Sequence, residues 1–138
     1  YLTEVLETKA GHDVPYAILD GGMNHLNYLG QMMGMKVPLI THLKKNETGA
    51  SGAKRQEWCL CGSLCTTADV IVRKTAFEDL EVGDVLVFKN IGAYSVTEGI
   101  HLFLSRTMPR ILLRHKDNRI EMVRDFVESS DLNRKRLV

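Results

Sequence analysis

The 138-residue chain carries a formal net charge of +1 and is 44% hydrophobic. Its length suits one compact domain but is too short for a large barrel joined to a second domain, so we predict a single domain over residues 1–138. The near-neutral charge gives no electrostatic reason to expect a nucleic acid or an anionic membrane as a partner. No apolar stretch approaches the roughly 20 residues needed to cross a bilayer, and we expect a cytoplasmic protein.

Short apolar runs separated by turn signals predict a mainly β fold. The predicted strands cover residues 3–8, 16–19, 37–43, 57–61, 69–74, 85–89, 110–114 and 119–124. The polar stretch 44–54 is predicted to be a surface loop. Seven or eight short strands of this kind imply a β-sandwich or a β-barrel.

Helical structure is expected to be minor. One helical turn is predicted at residues 77–80, with short helices after Gly92 and near residues 129–134. The stretch 23–35 is ambiguous, because its apolar residues could line one face of a helix, whereas each of its glycines costs about 1 kcal/mol relative to alanine. We interpret its methionines as core residues rather than a cofactor site.

Three cysteines lie close together, at positions 59, 61 and 65. An odd number of cysteines on neighbouring strand positions is a poor disulfide framework, so we expect reduced thiols. Zinc is a weaker alternative, with His42 as a fourth ligand, but structural zinc sites usually combine two separated ligand pairs, and we predict no metal. Cys59 and Cys61 are expected to alternate with their apolar neighbours along a strand and to pack as small hydrophobic residues.

Three motifs stand out along the chain. They are Asp20-Gly21-Gly22-Met23-Asn24, Leu64-Cys65-Thr66-Thr67-Ala68-Asp69 and Gly92-Ala93-Tyr94, the last reached through a Gly-Asp turn and a strand. Together they resemble the C-terminal domain of the pyridoxal-phosphate decarboxylases that act on ornithine, diaminopimelate and arginine. The resemblance implies a Greek-key β-barrel or sandwich of the alanine racemase type, with a few short helices.

In that family the lysine that holds the cofactor and the Gly-rich phosphate loop lie in a β/α barrel, and nothing in this chain matches them. We therefore interpret the chain as an excised C-terminal domain that is inactive alone. The resemblance implies that the full-length enzyme binds pyridoxal 5'-phosphate mainly through the barrel. It also implies a carboxy-lyase that acts on an amino acid and forms a homodimer.

The resemblance gives Cys65 a catalytic role, as the thiol that enters the neighbouring subunit's site near the Cα that must be reprotonated. A thiol that stays protonated at neutral pH but can give up its proton suits a general acid. Tyr94 matches the tyrosine that reaches the cofactor phosphate. Asp69 also matches a family residue, but an aspartate that opens a strand often ties down a turn, and we favour that structural role. A buried cysteine and a core tyrosine remain the alternatives for Cys65 and Tyr94.

Thr66 and His25 are the predicted substrate-binding residues. Diaminopimelate decarboxylases carry a glutamate in place of Thr66, and the polyamine branch an aspartate, to meet the distal ammonium of the substrate. His25 lies where the diaminopimelate enzymes carry an Arg-Pro that helps to hold the distal carboxylate. These departures imply a substrate whose distal end is blocked or tethered, including one presented on an acyl carrier protein. A noncatalytic β interaction domain and racemase-like chemistry are the competing hypotheses, and the cysteine loop disfavours the racemase.

Overall fold

A computed structural model describes residues 1–27, 37–46 and 54–134. The chain forms two compact units, Tyr1–Gly99 and Ile100–Val138, so a single domain stays a prediction. The predicted mainly β architecture is confirmed, with eight strands and a few short helices in the described part of the chain. None of the helices there is long and apolar enough to cross a membrane.

The first unit is built on a six-stranded sheet. Its strands are β1 (Leu2–Lys9), β2 (Tyr16–Leu19), β3 (Leu39–Leu43), β4 (Arg55–Cys61), β5 (Val70–Glu78) and β6 (Val85–Lys89). They follow the order β3-β6-β1-β2-β4-β5, and each neighbouring pair is antiparallel except β2 with β4. The rings of His42 in β3 and Phe77 in β5 lie 5.5 Å apart, so the two edge strands approach each other and the sheet nearly closes into a barrel.

Period-two burial explains why these segments form strands around one core. Val5 in β1 is fully buried, as are Ala17 and Leu19 in β2, and Leu86 and Phe88 in β6 alternate with less buried neighbours. Each large apolar side chain buried in this way stabilises the fold by about 1.5–3 kcal/mol. The core contains Val5, Ala17, Leu19, Leu26, Trp58, Leu60, Ile71, Val72, Phe77, Leu80, Leu86 and Phe88.

Strand β4 departs from simple alternation. Trp58, Cys59 and Leu60 are all buried, and the register with β5 shifts twice between Trp58 and Cys61. Such irregularities twist a strand and reorient consecutive side chains, so both sequence faces can turn inward. Cys59 and Cys61 still share one face, with their Sγ atoms 3.8 Å apart, so they alternate with Trp58 and Leu60 as predicted, and Cys59 is buried.

The prediction of a helical turn at residues 77–80 is wrong. Phe77 and Glu78 extend β5, where Phe77 pairs with Gln56 and joins the core. Asp79 then takes a positive φ of 46°, a left-handed conformation that ends the strand without starting a helix. The predicted helix after Gly92 is confirmed as α1 (Gly92–Thr97).

Two predicted segments fall partly outside the described residues. These are residues 28–35 of the ambiguous stretch 23–35 and residues 47–53 of the predicted loop 44–54.

The second unit contains a two-stranded hairpin of β7 (Ile111–Arg114) and β8 (Ile120–Arg124). Two short 3-10 helices accompany it, Phe103–Ser105 and Ser129–Asn133. Both strands were predicted within one residue of their observed ends. Large apolar side chains are exposed along the hairpin, namely Leu112, Leu113, Ile120, Met122 and Val123.

Candidate active site

Cys65 lies at an exposed position in the loop that joins β4 to β5, which we call the thiol loop (residues 62–69). Its Sγ forms no hydrogen bond with another residue in the described part of the chain. Cys59 is buried and Cys61 is half-buried, so Cys65 is the cysteine that solvent or a substrate can reach.

Asp69 holds the thiol loop from its end. Its backbone carbonyl accepts the Gly62 N–H at 2.9 Å, and its own N–H donates to the Thr66 carbonyl at 3.2 Å. Its carboxylate Oδ2 accepts the Leu64 N–H at 2.9 Å. The residues on both sides of Cys65 are therefore bonded to Asp69, whose side chain is buried.

The other carboxylate oxygen of Asp69 reaches a second segment, which we call the glycine turn (residues 20–27). Oδ1 accepts the Met23 N–H at 2.8 Å, across 46 positions of sequence. Asp20 fixes the start of this turn, because its carboxylate accepts hydrogen bonds from the Thr3 hydroxyl and from the Glu4 N–H at 3.0 Å. The first and second of the three motifs thus meet at one carboxylate.

His25 lies in the glycine turn, with its Nδ1 2.8 Å from the Tyr1 hydroxyl. Burial, followed by the negative charge of Asp20, raises the pKa of the Tyr1 phenol, so the hydroxyl keeps its proton in its hydrogen bond with Nδ1. Tyr1 therefore fixes the orientation of the His25 ring. The role of His25 in substrate binding stays a prediction.

Tyr94 lies on α1, with its side chain 75% exposed. The helix is attached to the far end of the glycine turn, because the Asn27 N–H donates to the Ser95 carbonyl at 3.2 Å and the Asn27 Nδ2 donates to the Glu98 carbonyl at 3.3 Å. The glycine turn therefore bonds the thiol loop at Met23 and the tyrosine helix at Asn27. Among the described residues, Cys65 and Tyr94 are not joined by a hydrogen bond.

Thr66 is half-buried in the thiol loop, and its Oγ1 accepts the Ala68 N–H at 3.3 Å. Such a local bond is typical of a threonine that shapes a turn. The side chain brings no charge to the loop, and the role of Thr66 in substrate binding stays a prediction.

The remaining two thiols form a pair, with 3.8 Å between the Cys59 and Cys61 Sγ atoms. Burial, then the neighbouring Cys59 and the charge of Asp69, raise the pKa of Cys61 to about 12. This thiol therefore stays protonated and unreactive at neutral pH. In the described ranges no group of three or more His, Cys, Asp or Glu side chains is arranged to hold a metal ion.

The sequence predicts no role for His42 except as a possible zinc ligand. In the structure it forms a second polar cluster with Asp84. Its Nε2 lies 2.6 Å from Oδ2 of Asp84, which also accepts the Glu81 N–H at 3.0 Å, while Oδ1 accepts the Lys45 N–H at 2.9 Å. Burial opposes ionisation of Asp84, but these hydrogen bonds outweigh it and hold its pKa below the ordinary value. The Gly83-Asp84 turn was visible in the sequence, whereas its histidine partner 42 residues away was not.

Comparison with known proteins identifies the family. The profile described as "Pyridoxal-dependent decarboxylase, C-terminal sheet domain" matches residues 1–92, which are two thirds of the chain. The chain therefore belongs to the pyridoxal-dependent decarboxylase family, as the resemblance predicted.

The relatives found are decarboxylases. The chain is 35% identical over 114 residues to the 2-((L-alanin-3-ylcarbamoyl)methyl)-2-hydroxybutanedioate decarboxylase of Staphylococcus aureus, covering 81% of this chain and 28% of that protein. It is 28% identical over 135 residues to the L-glutamyl-(BtrI acyl-carrier protein) decarboxylase of Niallia circulans, covering 96% of this chain and 31% of that protein. A crystal structure of diaminopimelate decarboxylase from M. jannaschii matches 99% of this chain and 29% of its own, with a TM-score of 0.76 and 25% identity. The chain thus spans less than a third of the length of these relatives.

The family implies pyridoxal phosphate, and the surroundings of Tyr94 fit a contact to its phosphate. An exposed phenol hydroxyl can donate a hydrogen bond to an anion. Gly92, two residues earlier, has a positive φ of 75° and open space where a side chain would project, so a ligand can approach the backbone closely. The described residues therefore offer a peripheral contact rather than a complete cofactor site.

Proposed function

We propose that the protein carrying this chain is a pyridoxal-phosphate-dependent amino acid decarboxylase in which Cys65 delivers a proton to the substrate Cα. The observation that carries this proposal is the presentation of the thiol. Cys65 is exposed while both of its neighbours, Leu64 and Thr66, are bonded to the buried Asp69. A proton donor works best when its position is fixed before the substrate arrives.

When bound, pyridoxal phosphate supplies the electron sink that allows the α-carboxylate to leave as CO2. The tasks of this chain are smaller. Tyr94 donates a hydrogen bond to the cofactor phosphate, and Cys65 gives its proton at Sγ to the Cα after the carboxylate has left. The remaining cofactor contacts belong to a barrel domain outside this chain, so the chain alone is inactive.

We propose that the active site is shared between two subunits of a homodimer in the cytoplasm. The exposed apolar side chains of β7 and β8 support a protein interface, because large apolar patches on a soluble protein usually mark interaction surfaces. A dimer whose thiol serves the opposite site permits complementation. Mixing a Cys65→Ala subunit with a subunit that lacks the cofactor-binding lysine should restore part of the activity, and complete absence of complementation contradicts a shared site.

The proposed substrate is an amino acid whose distal end is neutral or tethered, with a carrier protein as one means of tethering. Thr66 supports this proposal, since it places an uncharged side chain where an acid would pair with a distal ammonium. The names of two relatives support the same substrate class, because one acts on a glutamyl group carried by an acyl-carrier protein and the other on a carbamoyl-linked alanine. Thr66→Glu should raise the kcat/KM ratio of lysine or ornithine to the native substrate by at least about tenfold, because it adds a partner for the distal ammonium. Efficient turnover of free diaminopimelate by the unchanged enzyme argues against the proposed substrate class.

Cys65 is tested most directly in the full-length enzyme. Cys65→Ala should lower kcat by about 10²- to 10⁴-fold, because general acid catalysis contributes on that scale, with KM changed by no more than a few-fold. Cys61→Ala is the matched control, since it removes a half-buried thiol four residues away and should leave kcat unchanged. Equal effects of the two substitutions on kcat refute the assignment.

Tyr94 is tested by cofactor retention rather than by rate. Tyr94→Phe should weaken pyridoxal phosphate binding by about 1–2 kcal/mol, the value of one hydrogen bond to a charged group. Tyr16→Phe is the control, because Tyr16 is also an exposed tyrosine but lies on β2. Unchanged cofactor affinity of the Tyr94 variant removes it from the site.

A further inference from the structure

We infer that Asp69 is a positioning residue that locks the thiol loop and the glycine turn into one rigid frame. The catalytic consequence of this inference rests on the proposed function of Cys65. The mechanical part does not, because it concerns only how two segments of the chain hold each other.

The first argument is that every polar group of Asp69 is used. Its carbonyl, its N–H and its Oδ2 bond to Gly62, Thr66 and Leu64, all in the thiol loop. Its Oδ1 alone leaves the loop and bonds to Met23. The residue is only 2% exposed, so water cannot replace a lost partner without local opening.

The second argument is steric. A Cβ built on Gly22 lies 2.5 Å from both carboxylate oxygens of Asp69, and one built on Gly62 lies 2.1 Å from Oδ2. One of these glycines belongs to each segment. The carboxylate is thus enclosed by the backbone of both segments. A side chain at either glycine would clash with it.

The third argument concerns what else the frame carries. The glycine turn bonds α1 through Asn27, four residues after Met23. The bonds of Asp69 therefore continue into the helix that bears Tyr94. We infer that this single carboxylate sets the position of the proposed proton donor relative to the segment that supports the proposed phosphate contact.

The test uses Asp69→Asn in the full-length protein. Asparagine keeps the shape, but its amide offers one acceptor oxygen where two N–H groups must be satisfied. We expect amide exchange at Leu64 or Met23, or at both, to become about tenfold faster or more. We also expect kcat to fall at least about tenfold while KM changes less than threefold, because positioning of the proton donor matters in the transition state.

A second variant protects the test against a folding failure. Gly22→Ala acts from the turn side, because its methyl group pushes on the carboxylate of Asp69 at the end of the thiol loop. We expect it to accelerate exchange at Leu64, on the other side of Asp69. Acceleration confined to the glycine turn overturns the inferred coupling.

Asp84→Asn is the matched control. Asp84 is also a buried carboxylate that accepts two backbone N–H bonds, but its partners are Lys45 and Glu81. It should destabilise the protein, leave kcat unchanged and accelerate exchange at Leu64 no more than at other core amides. An equal fall in kcat in both variants shows a general stability effect and overturns the positioning role. If Cys65→Ala leaves kcat unchanged, the proposed function of Cys65 is wrong. The amide exchange result still decides whether Asp69 couples the two segments.

Discussion

Replacement of Asp84 by asparagine should destabilise the chain strongly, because this side chain joins three segments at a buried site. Its carboxylate is 4% exposed and accepts hydrogen bonds from the Lys45 and Glu81 N–H groups while lying 2.6 Å from the His42 ring. A hydrogen bond to a charged group contributes about 1.5–3 kcal/mol. An asparagine keeps one acceptor and turns its NH2 towards the other donor, so we expect a loss of about 2–4 kcal/mol.

The assays are urea denaturation and thermal denaturation of the chain, each followed by circular dichroism. At a size of 138 residues, such a loss corresponds to a fall in the thermal midpoint of about 10 °C. Asp13→Asn is the control, because Asp13 also pairs with a histidine, His12, but both side chains are exposed to solvent. Surface ion pairs contribute little, so this control should leave the midpoint unchanged. A loss for Asp84→Asn below about 1 kcal/mol refutes the assigned role of the cluster.

The pH dependence provides a second check. The pKa of Asp84 is held below its ordinary value in the folded chain, so its contribution is present above the unfolded pKa of about 3.9 and is lost as the pH falls through the folded pKa. The stability difference between the parent and Asp84→Asn should therefore be constant between about pH 5 and pH 7 and should shrink below about pH 4. A difference that grows on acidification would falsify the sign of the shift.

Three further predictions concern thiol reactivity and packing. Iodoacetamide at about pH 8 should modify Cys65 at least about tenfold faster than Cys61, whose pKa is raised to about 12, and mass spectrometry of the native chain that found equal rates would contradict this order. Gly21→Ala should cost about 1–3 kcal/mol, because its Cβ would lie 1.7 Å from the hydroxyl of the half-buried Tyr1, and an unchanged urea midpoint would show that the ring moves aside freely. Leu60→Ala should cost about 2–5 kcal/mol by leaving a cavity in the core, whereas a loss of less than about 1 kcal/mol would mean that the barrel collapses around the gap.

Local patterns in the sequence determined most of the strands and pointed to the proposed site loop. Strand β2 was predicted with its observed ends, as was β6, because period-two alternation between turn residues is a property of each segment alone. The motif around Cys65 similarly indicated the family, and the family profile confirmed it. The secondary-structure predictions failed where local sequence preference and core packing disagreed. Phe77 extends a strand because the core takes its ring, which overrides the weak helical signal of residues 77–80.

Only the tertiary structure decided which distant groups meet. Asp69 was recognised as a residue that ties down a turn, but its bond to Met23 spans 46 positions, and nothing in either segment specifies the other. The pairing of His42 with Asp84 spans 42 positions and depends on the register between β3 and β6. The physical reason is that a backbone pattern encodes which face of a segment is buried, whereas a hydrogen-bond partner is fixed by the register and curvature of the whole sheet. The sequence therefore determined the chemistry of the thiol loop, and the fold decided what holds it in place.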